Sequence, residues 1–148
     1  MLSKKKVIEI MKKDPLDTID SKLTVAAAAI IMRQRSRAIL IVVEGGKPIG
    51  IVTETDMVKR VIAENLAPAE IKVRDIMSTP LITIDGGSTI LDASKAMQKN
   101  RVRGLPVINN NRIVGMFTVT DIALAVATES EKDESLIKAV MRASYANY

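Results

Sequence analysis

Residues 15–25 read PLDTIDSKLTV and residues 80–90 read PLITIDGGSTI, two stretches that match at an offset of 65 positions. The match continues without a gap, with LIVVEGGKPIGIVTETD at 40–56 facing LPVINNNRIVGMFTVTD at 105–121. From 15/80 to 62/127, 15 of 48 aligned positions are identical, among them Thr18/Thr83, Asp20/Asp85, Met32/Met97, Gly50/Gly115, Thr53/Thr118 and Asp56/Asp121. Upstream, Ile10-Met11 faces Ile76-Met77 at an offset of 66, so one residue is inserted before Pro15. The 148-residue chain is therefore two copies of one unit.

Each copy reads the same way locally. A short apolar run after the proline (Leu16 to Ile19, Leu81 to Ile84) predicts a strand. A helix follows, capped by Thr24 in one copy and by Ser88 or Thr89 in the other, with Val25, Ala28, Ala29, Met32 and Ile90, Ala93, Met97 at helical spacing. Next come β-branched strands at Ile39 to Val43 and Leu105 to Ile108. Gly45-Gly46 and Asn110-Asn111 tolerate positive φ, so each strand turns back in a tight hairpin into Ile49 to Thr53 or Ile113 to Thr118. A second helix is expected from about Thr55 to Asn65 and from Thr120 to Thr128.

The predicted fold class is α/β (α+β): two β-α-β-β-α units packed about a pseudo-twofold axis, because a unit of about 65 residues buries little surface alone. The expected divisions are 1–65, 66–130 and a helical tail at 131–148, with a linker over 63–72 broken by Pro68. Ala26 to Met32 is apolar almost all round, which suggests a helix covered on several sides.

Composition narrows the chemistry. With no His and no Cys there is no Ser-His-Asp or Cys-His arrangement, no thiol redox chemistry and no zinc finger. Oxygen-ligated Mg²⁺ or Ca²⁺ and acid–base work by Lys, Asp or Glu remain open by composition. No base–nucleophile pair or metal cluster assembles from the repeats, so the expectation is a protein that is not an enzyme, with neither a required cofactor nor a metal. The net charge of +5 suits phosphate-bearing partners and suits solubility equally. The longest uncharged apolar stretch, Leu23 to Met32, is too short to span a bilayer, and the basic N-terminus lacks the apolar core of a secretion signal. The expected location is cytoplasmic, with no membrane partner.

The sharpest motif closes each hairpin: Gly50-Ile-Val-Thr53-Glu-Thr55-Asp56 and Gly115-Met-Phe-Thr118-Val-Thr120-Asp121. A hydroxyl and a carboxylate at a strand-to-helix junction lie beside unpaired backbone N–H groups at the positive end of a helix dipole. A carboxylate there can accept from a ribose cis-diol, while hydroxyl and backbone donors face a phosphate. The same spacing is also that of an ordinary capping box, and both readings stand. Arg35, Arg37, Arg101 and Arg103 lie between first helix and second strand, and Lys59 and Arg60 follow the first motif, all able to pair with phosphate or with water.

These paired motifs resemble a tandem pair of CBS domains (cystathionine-β-synthase domains) over roughly Val7 to Thr128. The resemblance implies clefts that bind AMP, ADP, ATP or S-adenosylmethionine as regulatory ligands, and pairs that form homodimers. By position it assigns Asp56 and Asp121 to the ribose hydroxyls, with Thr53 and Thr118 beside them. Thr18, Ile19, Asp20 and Thr83, Ile84, Asp85 would line adenine pockets through backbone groups. Ala38-Ile39 and Arg103-Gly104 would complete the clefts, with Arg103 near phosphate. The second copy has the family-typical Gly104-Leu-Pro-Val107, whereas the first has Ile39-Leu-Ile-Val42, so unequal affinities are expected. The leading expectation is a regulatory ligand-sensing module acting on a separate effector protein. The alternatives are an S-adenosylmethionine sensor, a nucleic-acid-binding protein using Lys4, Lys5, Lys6, Lys12 and Lys13, and a structural dimerisation scaffold. Scarce aromatics, which leave little for base stacking, weigh against nucleic acid.

Overall fold

The computed structural model describes residues 2–11 and 16–129, so the helical tail expected over 131–148 lies outside the described residues. After α1 (Val7–Ile10), the first repeat forms β1 (Thr18–Asp20), α2 (Val25–Arg35), β2 (Ile39–Glu44), β3 (Lys47–Thr53) and α3 (Glu54–Met57). The second forms β4 (Ile84–Asp85), α4 (Ile90–Asn100), β5 (Gly104–Asn109), β6 (Arg112–Thr118) and α5 (Val119–Glu129). Each repeat makes one three-stranded mixed sheet: β1 runs parallel to β2, which pairs antiparallel with β3, and β4, β5 and β6 do the same. Both hairpins carry a register shift at the same place, between Val42 and Val43 and between Val107 and Ile108.

The local causes are those of the sequence. Gly45 and Gly46 have φ of +56° and +77°, and Asn110 and Asn111 have +52° and +61°. Two successive positive φ values give the turn whose twist matches a two-residue hairpin. The Thr24 hydroxyl accepts from the Ala27 N–H at 3.1 Å and caps α2. Thr89 and Asp92 cap α4 reciprocally, with the Asp92 N–H 3.1 Å from Thr89 Oγ1 and the Thr89 N–H 3.3 Å from Asp92 Oδ2. Both helices end on a left-handed residue, Ser36 and Arg101.

The chain folds as two compact bodies that cut across the repeats: one is built from residues 16–82, the other from the N-terminal segment together with the chain from 83 onward. The opening segment of each repeat makes the same bonds to the body it joins. Ile90 donates to Lys5 O (2.9 Å), Val7 to Ser88 O (2.8 Å) and Ile8 to Gly86 O (3.0 Å). In the other body Val25 donates to Ile71 O (2.8 Å), Val73 to Leu23 O (2.8 Å) and Arg74 to Ser21 O (3.0 Å). The segment expected to be a linker therefore hydrogen-bonds along the start of α2, where Ala26 also donates to Pro68 O at 3.0 Å.

Each body has its own core. Ile19, Val25, Ala28, Met32, Leu40, Val42, Val52, Val61, Val73 and Ile76 form the first. Val7, Ile84, Ile90, Ala93, Met97, Leu105, Val107, Phe117 and Ala127 are buried in the second. The α2 helix is not covered all round, since Ile30 is 45% exposed.

One difference between the copies was not expected. Beyond α3 the chain widens into a π-helical turn, Val58–Ile62, with Ala63 donating to Val58 O at 2.9 Å, five residues back. The extra residue in the turn rotates the positions beyond it about the helix axis. Val61 is buried and Ile62 is 66% exposed, whereas in the regular α5 it is Ala127 that is buried and Val126 that is 43% exposed.

Candidate functional site

The motif that ends each hairpin is a reciprocal cap. Thr53 donates its N–H to Asp56 Oδ2 at 2.9 Å, and the Asp56 N–H returns to Thr53 Oγ1 at 3.1 Å. At the second junction Asp121 Oδ2 accepts from the Thr118 N–H (2.8 Å) and from the Thr118 hydroxyl (3.2 Å), while the Asp121 N–H reaches Thr118 Oγ1 at 3.4 Å. Both carboxylates are 7% exposed. A side chain that only capped a surface helix would sit in water; these two are almost enclosed, and a buried carboxylate requires hydrogen-bond partners.

The fold brings some of the expected residues together and separates others. Ile39 lies opposite Thr53 in the register and Gly104 opposite Thr118. Ala38 O accepts from the Glu54 N–H at 3.1 Å, and Arg103 O accepts from the Val119 N–H at 3.0 Å. Thr18 pairs with Ile41 on the parallel strand, so the starts of β1 and β2 share one end of the sheet with Thr53. Asp20 and Asp85 stand at the far ends of their strands. Asp20 Oδ1 accepts from the Lys22 N–H (2.9 Å) and Asp85 Oδ1 from the Gly87 N–H (2.7 Å), which makes each the anchor of a turn. Ile19 and Ile84 point into the cores at 2% and 8% exposure, which leaves only their main chain for a ligand. Thr83 directly precedes β4.

The structure adds Ser78, which motif reading did not single out, and places it and Arg60, already noted after the first motif, near the Asp56 carboxylate. Ser78 Oγ donates to Asp56 Oδ1 at 3.3 Å, and Arg60 Nε lies 3.8 Å from the same oxygen. Ser78 reaches it because Ile51 and Ser78 exchange main-chain bonds, at 3.0 and 2.8 Å. That pairing explains the glycine of the motif, since a Cβ on Gly50 would lie 2.7 Å from Ser78 O and 3.0 Å from the Met77 sulfur. Ser78 stands immediately after the repeated Ile-Met pair, the one signal that could have drawn attention to it.

In the second body Asp121 borders a pocket of about 320 Å³ whose other walls come from the N-terminal segment and α5. Among the described residues no group of three acidic side chains is placed to hold a metal ion, and no helix is long and apolar enough to cross a membrane.

Comparison with known proteins agrees with this architecture. The CBS domain family model matches residues 7–63 and 73–128. A protein of Methanopyrus kandleri is 36% identical over 110 residues, which cover 72% of this chain and 56% of that protein, so the chain spans about half the length of that relative. A solved protein of Pyrococcus horikoshii superposes with a TM-score of 0.77 at 27% identity, covering 85% of this chain and 95% of that one. The CBS domain pair of protein MJ0100, solved with 5′-methylthioadenosine and S-adenosyl-L-methionine, superposes with a TM-score of 0.73 at 27% identity, covering 84% and 98%. With two matched copies, and the strand order and capped hairpin ends repeated in each, the chain belongs to the CBS domain family as a tandem pair.

Proposed function

We propose that the chain is a regulatory, non-catalytic module that binds an adenosine-containing ligand, an adenine nucleotide (AMP, ADP or ATP) or S-adenosylmethionine, with Asp56 and Asp121 accepting from the ribose hydroxyls. The observation that carries the reading is the duplicated carboxylate, 7% exposed in both copies and fixed by a threonine at a strand-to-helix junction. Such a group is preorganised to accept from a diol without rearranging. The complex of the MJ0100 pair supports the same ligand class.

Thr53 and Thr118 orient the carboxylates. Thr18, Ile19, Asp20, Thr83, Ile84 and Asp85 offer main-chain groups to adenine, and Ala38, Ile39, Arg103 and Gly104 complete the sites. The module reports to a separate effector protein in the cytoplasm. It self-associates as a homodimer, for which the apolar residues Val58, Ile62 and Leu66 are suited: they recur every four residues and are 55%, 66% and 43% exposed.

Titration calorimetry of the whole chain with adenosine, AMP, ATP and S-adenosylmethionine tests the reading. Binding of at least one of them at sub-millimolar concentration, with about one equivalent lost in Asp56→Ala and another in Asp121→Ala, is the expected result. A wild-type protein that binds none of the four ends it.

A further inference from the structure

Residues 76–79 run as a strap across β3 beside the Asp56 junction, tied on two sides. On the strand side, Ile51 and Ser78 exchange main-chain bonds at 3.0 and 2.8 Å, and Thr79 Oγ1 donates to Ile49 O at 3.1 Å. On the helix side, the Ser78 hydroxyl donates to Asp56 Oδ1, and Arg60 Nη1 donates to the main-chain oxygens of Ile76 (2.8 Å) and Met77 (3.1 Å). Ile76 closes a 3₁₀ turn, Val73–Asp75, and the end of a helix leaves carbonyls that need an outside donor. Arg60 lies within the π-helical turn Val58–Ile62. One guanidinium thus joins that turn to the strap, with its Nε 3.8 Å from Asp56 Oδ1.

The Asp56 carboxylate is where these ties meet. An ionised carboxylate offers about four acceptor positions. The Thr53 N–H takes one on Oδ2 and the Ser78 hydroxyl one on Oδ1, so each oxygen can still accept from one hydroxyl of a cis-diol. A diol therefore binds without displacing Ser78. The Ser78 bond, at 3.3 Å, is long for a hydroxyl on a carboxylate, which settles at about 2.6 Å. A ligand that immobilises the carboxylate removes the motion that a close Ser78 bond would otherwise have to arrest. The two events then favour each other, and the coupling is reciprocal.

The strap is also where the chain leaves this body: residues 80–82 follow it, and Thr83 belongs to the other body. Resting on the reading that Asp56 holds a ribose, we propose that the 76–79 strap reports the occupancy of that site. A diol on Asp56 tightens Ser78 directly, and it tightens Ile76 and Met77 through Arg60. Arg60 is a positioning residue, acting through the carboxylate and two carbonyls.

Amide hydrogen exchange read by NMR on the full chain, with and without adenosine, tests the coupling in wild type, Asp56→Asn, Arg60→Ala and Arg60→Lys, with calorimetry on the same samples. Adenosine is expected to slow the Ile51 and Ser78 amides about tenfold more than the Val25 amide, which is bonded to Ile71 O elsewhere in the same body. Comparison with Val25 removes the general slowing that any ligand gives by mass action. The extra slowing disappears in Asp56→Asn. In Arg60→Ala adenosine binds about fivefold more weakly and the extra slowing falls to about twofold, as reciprocal coupling requires. Arg60→Lys, which keeps a charged donor, restores part of it. A residue that merely stabilised the fold would speed basal exchange and leave the ligand-dependent difference intact. Should Arg60→Ala fail to fold, Ser78→Ala, which cuts the direct tie, must abolish the extra slowing at Ile51. Equal slowing at Ile51, Ser78 and Val25, or an extra slowing that survives Arg60→Ala, overturns the proposal and leaves the ribose reading standing. No binding to wild type, or binding indifferent to Asp56→Asn, defeats the ribose reading at this junction and the coupling together.

Discussion

Ser78 Oγ donates to Asp56 Oδ1 across 3.3 Å, while the other oxygen of the same carboxylate, Oδ2, accepts from the Thr53 N–H at 2.9 Å. One side chain thus joins the start of α3 to the segment that pairs with β3. Ser78→Ala is expected to cost about 1 kcal/mol, the net worth of one hydrogen bond. It should also weaken adenosine binding at the Asp56 junction and leave the Asp121 junction untouched. Urea denaturation read beside calorimetry separates the two effects; an unaltered midpoint would show that Ser78 is a bystander.

Gly50 and Gly46 are glycines for different reasons, and substitution tells them apart. Gly50→Ala places a Cβ 2.7 Å from the main-chain oxygen of Ser78, which must move, at an overpacking cost of about 2 kcal/mol. Gly46 has nothing within 4 Å of its would-be Cβ but has a φ of +77°. Gly46→Asn should therefore be close to neutral, as the second copy places Asn111 at +61° in the same turn. Melting temperatures of the two variants check the contrast.

Asp17 introduces a pH dependence into the first copy alone, because its counterpart is Ile82. Hydrogen bonds from Arg35 and Arg37, with their charges, outweigh desolvation and hold its carboxyl below the ordinary value. A lowered folded pKa means that the ionised form is the stabilised one. Its contribution is complete above the ordinary value, about 3.9, and is lost as the pH falls through the folded value. Asp17→Asn should melt earlier than wild type at pH 7, with the gap closing toward pH 2. A gap independent of pH would mean that the ion pairs contribute nothing.

Val7 is fully buried, and its N–H is bonded to Ser88 O at 2.8 Å. Val7→Ala should cost about 2 kcal/mol. Amide hydrogen exchange should place that cost at Ile8 and Ile90, in the second body, and leave Val25 and Val73 protected as in wild type. Faster exchange confined to residues 18–60 would contradict the grouping of the segments.

Much of this architecture was legible because its causes are local. Gly45-Gly46 and Asn110-Asn111 announce hairpins through φ alone, and Thr24 and Thr89 announce caps through one hydroxyl each. The Thr53–Asp56 and Thr118–Asp121 spacing was visible too, with its double meaning, and the structure adds the burial that spacing cannot carry. What was not legible is non-local. Nothing within residues 2–11 states that Val7 will pair at Ser88, because that bond is set by which surfaces remain uncovered once the sheets have formed. The π-helical turn escaped for a related reason. A pattern aligned position by position equates Val61 with Val126 and Ile62 with Ala127, but one extra residue in the turn exchanges the inward and outward positions.

The place of the N-terminal segment in the second body also imposes an order of assembly during synthesis. Residues 16–82 are contiguous, so their body can close as soon as residue 82 has emerged from the ribosome. Residues 2–11, made before that body, must wait until the chain around Gly86, Ser88 and Ile90 has been translated before their amides and the Val7 side chain find partners. A segment synthesised early is thus among the last to settle, and in the interval its apolar residues are available to chaperones.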